Sequence, residues 1–349
     1  MNLYFFIGTK AQAIKCLPLI NNALRRSENV IIVDSGQHVQ IVNSILSEVN
    51  SNVEKLSLFK NSKNISNFKD LFFWFINFLY KHLMKRTIYQ NGICIVHGDT
   101  LSTLLGLLWA KRNNLIVLHL ESGLTSRNIF LPFPEEFIRR VVSRFSDVLI
   151  CFDKNSFDYL IKRFKKSEKK IKQVSENTII ETLDEEVIKV KQRLITVTLH
   201  RTENLVNQKK LENFVDLLLQ LSKKYTINWY LHEPTKFYLD KFKIKDLDRL
   251  NLSKLLDHKN FIKELKKSEI VITDGGSIQE ECYLLGKKTL IWRNLTERGY
   301  ALDNNMFISH YDIDNSLSFI NSNVTSTYNK NLNLKPSEEI LYYLEDNFG

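Results

Sequence analysis

The feature that most constrains this fold is a repeated strand–turn–helix alternation, clearest between residues 93 and 136. There the apolar run Ile93-Cys94-Ile95-Val96 ends at His97-Gly98-Asp99-Thr100, and an amphipathic segment follows over residues 101–113. A second apolar run, residues 115–120, ends on Glu121-Ser122-Gly123. Short apolar runs bounded by turn residues read as buried strands, and strands alternating with helices read as a parallel sheet covered on both faces. In such a sheet the carboxyl ends of neighbouring strands open into one crevice. Asp99 and Glu121 lie at those ends, and Glu135 starts a helix expected over residues 135–145, just after Pro132-Phe133-Pro134. Three carboxylates so placed make a candidate site for proton chemistry.

The alternation runs through the rest of the chain. Strands are expected over residues 3–7, 30–33 and 148–152, and helices over 10–26, 39–49, 71–86 and 155–164. Residues 182–193, acidic and then basic, are the best linker candidate. Beyond them strands are expected over 194–199, 227–231, 269–273 and 288–292, with helices over 211–225, 278–285 and 336–347. At 349 residues the chain is too long for one ordinary core. The expectation is two α/β domains, residues 1–182 and 183–335, with a site between them. A C-terminal helix, residues 336–349, is expected to pack back across them.

Composition narrows the function. Cys16, Cys94, Cys151 and Cys282 are widely scattered, which reads as buried thiols in a reducing compartment, not disulfides or a zinc cluster. No HxxxH or CxxC spacing occurs, so neither a metal nor another cofactor is expected. The amino terminus lacks the basic region of a signal peptide, and no run approaches the ~20 apolar residues of a spanning helix, so a cytoplasmic protein is expected. The net charge of +10 suits a polyanionic partner, an anionic membrane surface or an anionic substrate, or is simply dispersed. No helix-turn-helix, zinc or base-stacking motif accompanies it, so a nucleic-acid partner is not expected. The aromatic-rich segment 71–86 ends in basic residues; it reads as a helix packed on the sheet, or as a helix in peripheral contact with a membrane.

Two turns suggest phosphate binding. Lys10 and Lys15 lie at the start of the first helix, where unpaired N–H groups and the helix dipole favour an anion. Neither GxxxxGK[ST] nor GxGxxG is present. Gly275-Gly276-Ser277 opens another helix, with Glu280 and Glu281 in place to accept hydrogen bonds from ribose hydroxyls. His200 ends a strand next to Arg201 and is either structural or a general acid and phosphate ligand.

Taken together, these motifs resemble the UDP-N-acetylglucosamine 2-epimerase family, whose motifs occur in the same order. The matching segments are Gly8-Thr9-Lys10-Ala11-Gln12-Ala13-Ile14-Lys15, His97-Gly98-Asp99-Thr100, His119-Leu120-Glu121-Ser122-Gly123-Leu124 and Pro134-Glu135-Glu136 with Arg139. His200-Arg201-Thr202-Glu203-Asn204, residues 273–281 and Thr296-Glu297-Arg298 complete the set. The resemblance implies two Rossmann-like domains with parallel sheets in a GT-B-type architecture, an active site in the interdomain cleft, and a homodimer. It implies a UDP-sugar substrate, loss of the carbon-2 proton, and departure of UDP to leave a 2-acetamidoglucal. UDP or water then adds, and the product serves surface polysaccharide or capsule synthesis.

By position, Asp99, Glu121, Glu135 and His200 correspond to the catalytic residues. Lys10, Lys15, Arg139, Arg201, Gly275, Gly276, Ser277, Glu281 and Arg298 correspond to substrate-binding positions. Gln37, His38 and Gln40 fall where some bacterial members carry a regulatory substrate site. The usual Gly-Thr-Arg-Pro-Glu is Gly8-Thr9-Lys10-Ala11-Gln12 here, and the usual Ser-Gly-Gly is Gly275-Gly276-Ser277. These departures at the nucleotide end leave two alternatives: a glycosyltransferase of the same fold at the membrane face, and a UDP-sugar sensor without turnover.

Overall fold

The computed structural model describes residues 1–37, 43, 49, 53–58, 68–83, 90–125, 134–183, 186, 188–296, 298–299, 302, 305–324 and 332–349. The helix expected over 39–49 is described only at residues 43 and 49, and His38, Gln40, Pro132, Phe133 and Glu297 lie outside the described residues. The chain divides into two compact units, Met1–Thr182 with Asn333–Gly349, and Leu183–Leu332.

The first unit runs β1 (Asn2–Ile7), α1 (Lys10–Arg25), β2 (Asn29–Asp34), β3 (Glu54–Ser57), α2 (Phe68–Leu83), β4 (Ile93–His97) and α3 (Leu101–Arg112). It continues with β5 (Ile116–Leu120), α4 (Glu135–Phe145), β6 (Val148–Cys151), α5 (Lys154–Arg163) and β7 (Lys170–Gln173). All pairings are parallel, in the order β3-β2-β1-β4-β5-β6-β7. Because side chains alternate along a strand, Leu3, Phe5 and Ile7 enter one core with Ile93 and Ile95. Tyr4 and Phe6 enter the other with Trp74, Trp109 and Ile138. Both faces of the sheet are therefore covered, as the near-continuous apolar strands predict. The order reverses between β1 and β4, and that switch point sets the crevice at the strands' carboxyl ends.

The second unit runs β8 (Lys191–Thr198), α6 (Gln208–Leu221), β9 (Thr226–Leu231), α7 (Glu233–Lys241), β10 (Asn251–Lys254), α8 (His258–Lys267) and β11 (Ser268–Thr273). Then come α9 (Gly276–Leu284), β12 (Lys288–Ile291), β13 (Met306–Ile308) and α10 (Ile313–Asn321). Its parallel sheet has the order β10-β9-β8-β11-β12-β13, over a core containing Phe214, Trp229 and Trp292. The last helix, α11 (Pro336–Phe348), places Ile340, Leu341 and Leu344 in the core of the first unit.

Three differences from the sequence expectation have physical causes. β8 begins at Lys191, inside the expected linker, because its first three residues are exposed and carry no apolar signal. The strands β3, β7, β10 and β13, all at sheet edges, are short and mostly polar or half-exposed, as edges are in natural proteins. In α2 the aromatics divide between two faces: Trp74 and Phe78 are buried, whereas Phe72, Phe73 and Tyr80 are exposed.

Candidate active site

The site of the first unit is built on the turn after β1. Thr9 caps α1 by accepting a hydrogen bond from the Gln12 backbone N–H, while Gln12 Oε1 accepts from the Gly8 and Thr9 N–H groups at 3.0 and 3.2 Å. This is a capping box, and its Thr-x-x-Gln spacing is legible in the sequence. The buried Gln12 amide also donates to the His97 carbonyl at 2.9 Å and to Thr100 and Thr103 at 3.1 and 3.0 Å. One side chain thus ties the turns after β1 and β4 together. Gly8 permits this approach, since a Cβ there would lie 2.6 Å from Ser102 Cβ.

About one turn further along α1, buried Lys15 donates to Glu121 Oε2 at 2.8 Å, and His97 Nε2 lies 3.4 Å from the same oxygen. Glu121 is 5% exposed. Its backbone adopts φ +59°, a left-handed conformation rare for a residue with a Cβ. Strain of this kind, about 1–3 kcal/mol, persists where surrounding structure imposes it, commonly at functional sites. Here the Ser122 N–H and hydroxyl both donate to the Ile150 carbonyl, locking the turn.

His119, fully buried on β5, bonds through Nε2 to the Gly98 carbonyl at 2.8 Å and lies 3.3 Å from the Ser143 hydroxyl through Nδ1. Burial lowers its pKa to about 4. The ring is therefore neutral near pH 7 and donates to Gly98, steadying the turn that carries Asp99.

Asp99 stands at the crevice rim with its side chain 27% exposed, paired with the Arg139 guanidinium. Arg139 also donates to Glu136 at 2.8 Å. Glu135 is half-buried at the first position of α4. Lys10 is exposed at the first turn of α1, apart from the buried Lys15. Gln37 accepts from the Ser102 hydroxyl at 2.6 Å.

The second unit gathers its groups at the carboxyl ends of β8 and β11. Buried Asp274 accepts from the His200 N–H at 3.0 Å, the Arg201 N–H at 2.9 Å and the Asn204 amide at 2.8 Å. His200 Nδ1 lies 3.2 Å from the same carboxylate. Burial alone would raise the pKa of Asp274, but the contacts from His200, Arg201 and Asn204 hold it below the ordinary carboxylate range. The His200 ring packs 4.6 Å from that of His232, and a Cβ at Gly275 would lie 2.9 Å from His200 Cε1. The half-buried imidazole thus overhangs the start of α9, where Gly276 and Ser277 offer their N–H groups. Glu281 Oε1 lies 3.0 Å from His258 Nε2, and Arg298 Nε lies 3.7 Å from the buried Glu280. The Arg298 carbonyl accepts from Gln279 at 3.2 Å.

Within the first unit, then, the fold joins Lys15 to Glu121 and Arg139 to Asp99. Within the second it joins His200 and Arg201 beside the glycine turn. Sequence reading missed Glu136, Asp274, His232 and His258 as members of these clusters. Asp274 meets His200 because Thr198 and Thr273 are register partners on β8 and β11, an adjacency that becomes visible only once the strand order is known. Among the described residues no three His, Cys, Asp or Glu side chains converge as metal ligands, and no helix is long and apolar enough to cross a membrane.

A family model described as UDP-N-acetylglucosamine 2-epimerase matches residues 22–342. A Bacillus subtilis protein named UDP-N-acetylglucosamine 2-epimerase is 27% identical over 307 residues, covering 83% of this chain and 78% of that protein. The crystal structure of UDP-GlcNAc 2-epimerase from Neisseria meningitidis, bound to UDP-GlcNAc, is similar at 23% identity with a TM-score of 0.81, covering 99% of this chain and 100% of that one. The Methanocaldococcus jannaschii enzyme in complex with UDP-GlcNAc and UDP gives the same identity, score and coverage. At that identity, the structural likeness speaks for the fold.

Proposed function

Because the chain belongs to the UDP-N-acetylglucosamine 2-epimerase family, we propose that it inverts carbon 2 of UDP-N-acetylglucosamine or a closely related UDP-N-acetylhexosamine. The observation that carries this reading is Glu121, a buried carboxylate in a strained turn, held against Lys15 and within 3.4 Å of His97. Inversion needs a proton removed from one face of the sugar and another delivered to the opposite face, so a single carboxylate does not suffice. Glu121, Asp99 and Glu135 supply the acids and bases.

The C2–H bond breaks as a carboxylate takes the proton, a C1–C2 double bond forms, and the C1–O bond breaks with its electron pair going to the β-phosphate. His200, Arg201 and the N–H groups of Gly276 and Ser277 meet the charge that develops on the diphosphate. Glu281 takes ribose hydroxyls, with Lys10 and Arg298 as further substrate contacts. Re-addition of UDP with protonation of C2 gives the epimeric UDP-sugar; addition of water instead gives UDP and the free sugar.

Chromatography of a reaction with UDP-N-acetylglucosamine tests this. The expected product is UDP-N-acetylmannosamine, or UDP with free N-acetylmannosamine. No conversion of this or any related UDP-N-acetylhexosamine by the folded protein would count against an epimerase, and sugar transfer to an added acceptor would point to a glycosyltransferase. Supply of a surface polysaccharide from the cytoplasm is the setting the resemblance implies.

We infer in addition that the chain forms a homodimer through α2. Phe73 is 69% exposed and Tyr80 74%, on a helix whose opposite side is buried in the core. Light scattering should report a dimer that Phe73→Asp/Tyr80→Asp converts to a monomer. A monomeric wild type that floats with anionic vesicles would instead make this face a peripheral membrane contact.

A further inference from the structure

We propose that Glu136 is a positioning residue that orients Asp99 through Arg139; the catalytic part of this inference rests on the epimerase reading above. Glu136 is fully buried at the second position of α4, so it cannot itself touch a substrate. Its Oε1 accepts from the Thr125 hydroxyl at 2.7 Å and from Arg140 Nε at 2.8 Å, and its Oε2 accepts from Arg139 Nη1 at 2.8 Å. A buried carboxylate is costly to desolvate and is retained in a fold only when such partners surround it.

Geometry then decides what this cluster does. The Arg139 guanidinium bridges two carboxylates, using Nη1 for Glu136 and Nη2 for Asp99. A guanidinium is planar and its donors are fixed relative to one another, so holding one edge aims the other. Arg139 has only 4% of its side chain exposed, against 27% for Asp99. Of the three groups in the chain Glu136–Arg139–Asp99, the last alone reaches the crevice appreciably. Arg139 therefore acts on the reaction through Asp99, in place of the direct substrate contact that its motif position suggested. Arg140 pairs with the same glutamate and does not belong to the bridge, which makes it the natural control.

Helix stabilisation alone would also account for an acid at the start of α4 with arginines three and four positions later. The two roles separate in a comparison of Glu136→Gln with Arg140→Gln. Each removes an ion pair from the first turns of α4, but only the first takes a partner from Arg139. Glu136→Gln is expected to lower kcat at least ten-fold, with KM and UDP affinity changed less than two-fold. Arg140→Gln is expected to leave kcat within two-fold at a comparable loss of melting temperature.

In nitrogen-15 NMR of the free protein, the Arg139 side-chain signal should show slow guanidinium rotation in wild type and in Arg140→Gln, and fast rotation in Glu136→Gln. Equal kcat losses in the two variants, or an Arg139 signal unchanged by Glu136→Gln, would overturn the proposal. If the wild-type protein turns over no UDP-sugar, the epimerase reading fails. The arginine signal then still decides whether Glu136 holds Arg139 in place.

Discussion

At Glu121 the sequence places a negative charge at a strand end, the turn bends it into the left-handed region, and the core supplies Lys15 as its counter-charge. Breaking such a buried pair from one side leaves the other charge without compensation, at a cost of roughly 3–5 kcal/mol. Lys15→Met should therefore lower the urea midpoint strongly, and Lys15→Met/Glu121→Gln should recover part of the loss, because the stranded charge is gone. His119 gives a pH prediction. Its pKa is about 4 in the fold and about 6.5 in an unfolded chain, so between those values the unfolded state binds the extra proton. Stability from the neutral buried ring is complete above pH 6.5 and is lost as pH falls toward 4, by about 3 kcal/mol in total. His119→Gln should flatten the acid side of a melting-temperature profile across that window. The candidate carboxylates are legible in the sequence because each follows an apolar run or opens a helix. Asp274 also follows an apolar run and Glu136 also lies in a first helical turn, but their roles are not legible, because those depend on partners brought close by strand order and helix packing.

At the scale of elements, legibility follows burial. The interior strands announce themselves as apolar runs because both faces of each are covered. The edge strands β3, β7 and β10 do not, because much of their surface faces solvent and their Lys, Glu, Asn and Ser residues protect an open edge, whereas β13 is apolar but only three residues long. The close approach of α1 and α3 at the crevice depends on the missing side chain at Gly8, where a Cβ would meet both Ser102 and Ser35. Gly8→Ala should destabilise the first unit by about 1–3 kcal/mol through overpacking, and it should depress activity by displacing the Gln12 network. Gly299→Ala, where an added Cβ meets nothing within 4 Å among the described residues, is the matched control and should melt like wild type.

At the scale of the whole molecule, the last helix returns to the unit in which the chain begins. The amphipathic pattern of residues 336–347 shows that α11 needs a partner surface, but it does not say which one. The choice is made by Ile340, Leu341 and Leu344 in the first core, by Ser337 donating to Glu181 at 2.8 and 2.7 Å through its N–H and hydroxyl, and by Arg26 on Glu345 at 2.8 Å. Truncation after Leu332 should accordingly unfold the first unit and abolish turnover, while the calorimetric transition of the second unit persists.

In the proposed reaction the carboxylates of the first unit exchange the proton on carbon 2. Proton NMR of UDP-N-acetylglucosamine incubated with the protein in deuterated water tests it most directly. The wild type should replace the carbon-2 proton with deuterium, removing its splitting of the carbon-1 proton signal, and Glu121→Gln should slow that exchange by at least about a hundred-fold, as expected for loss of a general acid–base group. Folded wild-type protein that converts the sugar while retaining the carbon-2 proton would contradict the account.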